Sequence, residues 1–245
     1  MKNIFAVVTA AGSGSRLGYS QPKALVCLNG ISLVERAVKT FTQHPQVAGV
    51  VVTAPADREI FSQFEKIFEG APQVLVVKGG PSRQASVYQG LLGIEKLAEK
   101  LAITKVIPQA KVLIHDAARC LMPTEVIDRI SDKLEEVNAV IPVLPVVDTL
   151  TKVVNQTGEW AGETPDRSTL RAVQTPQGFK YQTILRAHQK AQANQTGEFT
   201  DDASLMQLVN EPVALVAGSE FSLKITTPFD LEIARSLVTL NPSSG

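Results

Sequence analysis
"IFAVVTAAGSGSRLG" (Ile4–Gly18) decides the fold. The apolar run Ile4–Thr9 breaks directly into a loop carrying Gly12, Gly14 and Gly18. An uninterrupted apolar run closed by a glycine-rich turn predicts a strand buried on both faces. Such strands belong to parallel sheets sandwiched between helices, because parallel neighbours need helical crossovers. Apolar, β-branched runs should therefore alternate with helical stripes along the rest of the chain.

They do. Ser32–Phe41 carries Leu33, Val34, Ala37, Val38 and Phe41 on one helical stripe. Val47–Thr53 is the next strand, Arg58–Phe68 the next helix, and Gln73–Val77 a third strand broken by "KGGPS". A long helical pattern spans Arg83–Leu101, and Ala102–Gln109 with its proline reads as a loop before the strand Lys111–His115. Ile127, Ile130, Leu134 and Val137 mark a helix over Thr124–Val137, and Ala139–Val143 is a fifth strand. The alternation predicts a doubly wound, mostly parallel α/β sheet. Ligands of such sheets sit beyond the strands' carboxyl ends, where the loops after Thr9, Val77 and His115 should meet.

The rhythm changes between Asp148 and about Thr175. That stretch is polar and turn-rich, with Thr151–Val154 as a strand, "NQTG" as a turn and Leu170–Gln174 as a returning strand. It reads as a β-arm over about 148–175 that projects from a single domain, and an arm without its own core packs best on a partner subunit. Helices follow at Tyr181–Gln192 and from near Thr200, then strands at Val213–Ala217 and Leu223–Thr226. In the closing "TPFDLEIARSLV", Thr227 is the expected N-cap and Pro228 the first helical residue. Residues 241–245 read as a disordered tail.

Composition narrows the function. Lys plus Arg number 24 and Asp plus Glu 24 in 245 residues, so the overall basic field of a general nucleic-acid binder is missing. Cys27 and Cys120 have neither metal-site nor disulfide spacing and read as buried, small apolar residues in a reducing cytoplasm. No membrane span or signal peptide is legible. His44 and His188 fall on expected helix surfaces or ends, and His115 reads as packing.

The glycine-rich loop fits neither common phosphate template. The dinucleotide fingerprint fails at its third glycine, where Leu17 stands, and no lysine follows Gly18 as a Walker loop requires. What remains is Ala10-Ala11-Gly12-Ser13-Gly14 with Arg16, followed by Pro22-Lys23. Glycines let backbone N–H groups approach phosphate oxygens, while two cations can neutralise the charge on a departing pyrophosphate. Asp116 ends a strand near those phosphates. There a carboxylate can hold Mg²⁺ directly or through water, or accept a ribose or substrate hydroxyl.

This loop resembles the signature of nucleotidyltransferases that join a sugar or polyol phosphate to a nucleoside triphosphate. "GGPSRQASV" (Gly79–Val87), "HDAAR" (His115–Arg119), Asp148-Thr149, "TPQ" (Thr175–Gln177), "TDDAS" (Thr200–Ser204) and "KIT" (Lys224–Thr226) follow in chain order. The ordered set resembles the 2-C-methyl-D-erythritol 4-phosphate cytidylyltransferase family over nearly the whole chain.

The resemblance implies a Rossmann-like nucleotidyltransferase sheet and a Mg²⁺-assisted transfer of CMP from CTP to the methylerythritol phosphate, within non-mevalonate isoprenoid synthesis. It implies CTP contacts at Ala10, Ala11, Gly12, Ser13, Gly14, Gly80, Arg83, Ser86 and Asp116. Arg16 and Lys23 would stabilise the transition state, and Arg167 and Lys224 would orient the nucleophile. The methylerythritol phosphate would lie among Asp116, Arg119, Thr149, Arg167, Thr175 and Lys224, with Thr149 and Arg167 reaching the neighbouring subunit's site in a homodimer. Direct metal ligands stay open, Asp116 being the one candidate.

Simpler readings stand beside these. Ser82, Arg83 and Ser86 could merely cap the helix that begins there, and Arg167 could be a solvated charge. Lys224, starting a strand in an apolar setting, calls for an anionic partner. The chain departs from the family pattern at Ala24, Cys120 and Ser222, none of which removes a charge the chemistry needs. The rivals are a ribitol-5-phosphate cytidylyltransferase and a non-catalytic nucleotide-binding module.

Overall fold
A computed structural model describes residues 2–12, 21–154, 157–194, 197 and 199–240. The first strand, β1 (Ile4–Thr9), lies inside an eight-stranded sheet. After a short hairpin, β2 (Cys27–Leu28) and β3 (Ile31–Ser32), come α1 (Leu33–Gln43), β4 (Val47–Ala54) and α2 (Arg58–Ile67). They are followed by β5 (Val74–Lys78), α3 (Arg83–Lys100), β6 (Lys111–Asp116), α4 (Glu125–Lys133) and β7 (Ala139–Pro145). Beyond the arm come β8 (Arg171–Val173), β9 (Gln177–Lys180), α5 (Tyr181–Ala193), β10 (Ala214–Ala217) and α6 (Pro228–Leu240).

The sheet order is β10-β7-β9-β6-β1-β4-β5, with β8 pairing on β7. β1 pairs in parallel with both β4 and β6, β4 with β5, and β10 with β7, so the mostly parallel sheet is as expected. The pleat divides β1 between two cores. Ile4, Ala6 and Val8 face the side covered by α1, α2, α4 and α6, whereas Phe5 and Val7 face α3 and α5. Both faces are therefore dry, which is why the strand carries no alternation of polar and apolar residues.

Capping chemistry fixes the helices. Ser32 and Glu35 form a reciprocal capping box on α1, with Glu35 N–H donating to Ser32 Oγ and Ser32 N–H to Glu35 Oε2. Thr227 and Asp230 do the same for α6. These side chains satisfy N–H groups that the first helical turn leaves unpaired.

Several expectations are corrected. Gln177–Lys180 is a strand, antiparallel between β6 and β7, that the pattern did not reveal. Its four residues include only Phe179 as a large apolar side chain. Gly178 is required because a Cβ there would lie 2.2 Å from Ile130 Cγ2 on α4. Leu223–Thr226 is not a strand but an extended strap, tied by Ile225 N–H to Ala118 O at 2.9 Å. Helical structure after Thr200 is a 3-10 segment, Ala203–Val209, and another 3-10 segment, Thr104–Gln109, occupies the expected loop before β6.

The arm also differs in pairing. Thr151–Val154 forms only an isolated bridge, Val153 to Ala161, flanked by Lys152 N–H to Glu163 O and Gly162 N–H to Lys152 O. The returning strand does not pair with it but runs as β8 antiparallel to the end of β7. Asn155 and Gln156 of the expected turn, and the expected tail 241–245, lie outside the described residues.

His44 stands at the end of α1, as expected, but is buried there with its Nε2 3.0 Å from Asp128 Oδ1. His188 is buried rather than on a surface, because α5 is covered on its side by α3 and the 3-10 segment. Cys27 is exposed and Cys120 buried, both as free thiols. Burial pushes the Cys120 thiol up to about 12. No helix among the described residues is long and apolar enough to cross a membrane.

Candidate active site
Parallel register brings the chemistry together. Thr9 and Asp116 are paired positions at the carboxyl ends of β1 and β6, and the loops after β1 and β5 meet beside them. Ala10 N–H donates to Thr53 O and Gly79 N–H to Ala54 O, which draws both loops over the end of β4. The approach is close enough that a Cβ on Gly79 would meet Ala11 Cβ at 2.8 Å. A glycine-rich sequence is needed here because the backbones nearly touch.

The start of α3 closes one side. Ser82 is its N-cap, its Oγ accepting from Ala85 N–H at 3.1 Å. Ser86 is buried, and its Oγ accepts from Gly80 N–H at 3.1 Å while donating to Ser82 O at 2.8 Å. Capping therefore belongs to Ser82, and Ser86 instead shapes the loop before it. The positive end of an eighteen-residue helix faces the space between them, an arrangement that favours phosphate.

These walls enclose a cavity of about 450 Å³. Ala10, Ala11, Gly12, Lys23, Gly80, Arg83, Ser86, Asp116 and Lys224 line it, as the sequence led us to expect, together with Thr9, Ala24, Pro81 and Ser82. Ser13, Gly14 and Arg16 lie outside the described residues.

Asp116 is the electrostatic centre. Its Oδ2 lies 2.7 Å from Lys224 Nζ, and its Oδ1 lies 3.5 Å from Arg83 Nε and accepts from Thr9 Oγ1 at 3.3 Å. Burial would raise its pKa, but Arg83 and Lys224 outweigh that and hold the carboxyl well below the usual carboxylate range. Lys224 thus has its anionic partner within the chain, and its side chain is half-exposed in the cavity wall rather than in an apolar strand. The strap, tied to Ala118, delivers it there.

Behind Asp116 lies a second tier. Its backbone N–H donates to Thr175 Oγ1 at 3.1 Å, and that hydroxyl is 3.1 Å from His115 Nδ1. With the Thr175 proton directed at Nδ1, His115 Nε2–H donates to Arg119 O at 3.3 Å. Burial drives His115 down to about 4, so the ring stays neutral and serves packing, as expected. Arg119 donates to Ser222 O at 2.6 Å and toward Val173 O at 3.4 Å. Thr175 and Arg119 therefore stand behind the cavity, not in its wall.

Thr149 and Arg167 are exposed on the arm, away from the cavity within one chain; Arg167 donates to Val147 O at 2.8 Å. Asp202 is the residue the sequence reading passed over. It sits within the quoted "TDDAS", where its side chain, 1% exposed, contacts Arg83 at 2.7 Å. Its own loop is held by Gln177 of "TPQ", whose Oε1 accepts from the N–H groups of Asp202 and Ala203. The ordered co-occurrence of the two motifs was the only signal available.

Among the described residues no three His, Cys, Asp or Glu side chains cluster as a metal site. Asp116 is the one carboxylate among the described residues that line the cavity, and a divalent cation could reach it only while drawing most ligands from a bound triphosphate.

The family model described as 2-C-methyl-D-erythritol 4-phosphate cytidylyltransferase matches residues 4–240. A protein of that name from Rhodococcus jostii (strain RHA1) is 42% identical over 236 residues, covering 96% of this chain and 95% of the relative. One from Prochlorococcus marinus (strain MIT 9312) is 39% identical over 233 residues, covering 95% of this chain and 96% of its own. The crystal structure of the Thermus thermophilus protein of the same name superposes with a TM-score of 0.72 at 31% identity, over 96% of this chain and 98% of that one.

Proposed function
The chain belongs to the 2-C-methyl-D-erythritol 4-phosphate cytidylyltransferase family, and from that premise we propose how its own residues carry out the reaction. The enzyme transfers CMP from CTP to 2-C-methyl-D-erythritol 4-phosphate, releasing pyrophosphate, in isoprenoid precursor synthesis. The observation that carries the residue assignment is the convergence of Lys23, Arg83 and Lys224 with Asp116 on one cavity beside the N-terminus of α3.

The triphosphate lies along Ala10–Gly14 and the α3 terminus, with the cytidine toward Gly80, Arg83 and Ser86. An oxygen of the methylerythritol 4-phosphate attacks the α-phosphorus in line. The new P–O bond forms as the bond to the β-phosphate breaks, and the electron pair leaves on pyrophosphate. A phosphate monoester is already an anion, so no side chain need deprotonate it. Lys23 and Arg16 neutralise the charge that builds on the transferring and leaving oxygens. Lys224, with Arg167, holds the incoming phosphate against the repulsion between two anions. Asp116 fixes Lys224, while Thr175, His115 and Arg119 brace Asp116 from behind.

The donor set suits a Mg²⁺ held chiefly by the triphosphate with Asp116 as its protein contact, where it would offset phosphate charge. Thr149 and Arg167 act in the partner's site of a homodimer. Support for that reading comes from the arm's exposed apolar side chains Val147, Val154 and Trp160, and from the distance of both residues from their own cavity. Two free thiols accord with a reducing, cytoplasmic compartment.

The test is pyrophosphate release with Mg²⁺ and CTP, with methylerythritol phosphate and ribitol 5-phosphate assayed in parallel. Release is expected with the first substrate alone. Lys23→Ala should lower kcat by roughly a hundredfold or more while the circular dichroism spectrum stays unchanged. A near-wild-type rate would remove Lys23 from the mechanism.

A further inference from the structure
Asp202 opens the 3-10 segment Ala203–Val209, and both its carboxylate oxygens are engaged. Oδ2 lies 2.7 Å from an Arg83 guanidinium nitrogen, and Oδ1 lies 3.2 Å from His188 Nε2 on α5. The side chains of Asp202 and His188 are each 1% exposed. A carboxylate so enclosed must have a cation, and Arg83 is the permanent one. His188 is fixed in turn by stacking against Tyr88 of α3. Gln177 of β9 pins the backbone on the other side.

Arg83 has a second carboxylate within reach, because Asp116 Oδ1 lies 3.5 Å from its Nε. The distances divide the charges into two short pairs, Arg83 with Asp202 and Lys224 with Asp116. We propose that Asp202 is a positioning residue for CTP binding: it anchors Arg83 to α5 and β9 and keeps the guanidinium from collapsing onto Asp116. The inference rests on the reading of Arg83 as a CTP contact. Without the anchor, Asp116 becomes the short-range partner of Arg83 as well as of Lys224. The guanidinium then leaves the α3 terminus, and the two cations compete for one carboxylate.

The experiment is a double-mutant cycle on the full-length enzyme with CTP, Mg²⁺ and methylerythritol phosphate. Asp202→Asn should raise KM for CTP roughly tenfold while kcat changes far less, as expected when a buried ion pair that only orients a binding group is lost. Arg83→Met should raise the same KM, and adding Asp202→Asn to it should raise KM no further. Thermal midpoints give an independent reading. Arg83→Met strands a buried carboxylate and lowers Tm, and the double variant should recover part of that loss. Asp202→Ser serves the same cycle if the asparagine variant does not fold.

An unchanged KM for CTP in the Asp202 variants, with Arg83→Met impaired, would overturn the positioning role and leave the CTP reading standing. Additive effects in the double variant would also overturn it, because Asp202 would then act independently of Arg83. An unchanged KM in Arg83→Met itself would bring down both readings together.

Discussion
At the residue scale, the site is governed by how each charge is matched. Asp116 and Asp202 are both buried carboxylates, yet each has a short cationic partner and a further side-chain bond that fixes its direction. His115 solves the same problem by remaining neutral. Its folded pKa of about 4 is below the ordinary value of 6.5, so between those pH values the unfolded chain binds the extra proton. Stability is therefore complete above about pH 6.5 and declines as the pH falls toward 4, by roughly 3 kcal/mol from this group. Urea unfolding across that window should show the slope, and His115→Gln should flatten it. An equal slope in the variant would assign the acid sensitivity to other groups.

At the element scale, α3 is the part on which the cavity depends. Its first turn forms one wall, and its middle lies so close to the sheet that a Cβ at Gly90 would sit 2.3 Å from Val7 Cγ1 and 3.1 Å from Thr53 Cγ2. Neither β1 nor β4 can yield, since both are paired on each edge within a filled core. Gly90→Ala should destabilise the fold by about 1–3 kcal/mol through overpacking, despite the better helix propensity of alanine. The urea midpoint should fall with the slope of the transition unchanged. A variant as stable as the parent would mean that α3 can move outward at no cost. The strap 223–226 follows a different logic: it pairs with no strand and is held by Ile225, buried against the turn after β6. It is the burial of Ile225 and Ser222 that carries Lys224 to the cavity.

At the scale of the whole molecule, the arm between β7 and β8 exposes Val147 at 78%, Trp160 at 69% and Val154 at 65%. In the homodimer proposed above, burying these side chains against the partner would bring Thr149 and Arg167 within reach of the partner's cavity. Subunit mixing tests this directly. Lys23→Ala and Arg167→Ala chains should each be nearly inactive alone. After random exchange, half the dimers would hold one intact site of two, giving about a quarter of the wild-type activity. No recovery after exchange, with dimers demonstrated by sedimentation, would place Arg167 in its own subunit's chemistry, and an Arg167→Ala chain that is active alone would place it outside the reaction.

The sequence by itself determined the sheet and the loops at its carboxyl ends, because continuous apolar runs and helical stripes are local consequences of burial on two faces. Gly80 and Asp116 were legible for the same reason, since each stands at or just beyond the end of a strand. Lys23, which opens the 3-10 segment Lys23–Leu25, was legible only as a cation trailing the glycine-rich loop. The sequence could not disclose β9, whose four residues are a strand only because β6 and β7 leave a slot between them. Nor could it disclose the link from Asp202 to Arg83, residues far apart in the chain whose meeting depends on α5 packing against α3. The buried histidines and the strap under Lys224 belong to the same group. Local pattern records which side chains must leave water. The pairing of buried charges depends on distances that exist only after the elements have packed, and tertiary structure alone decides it.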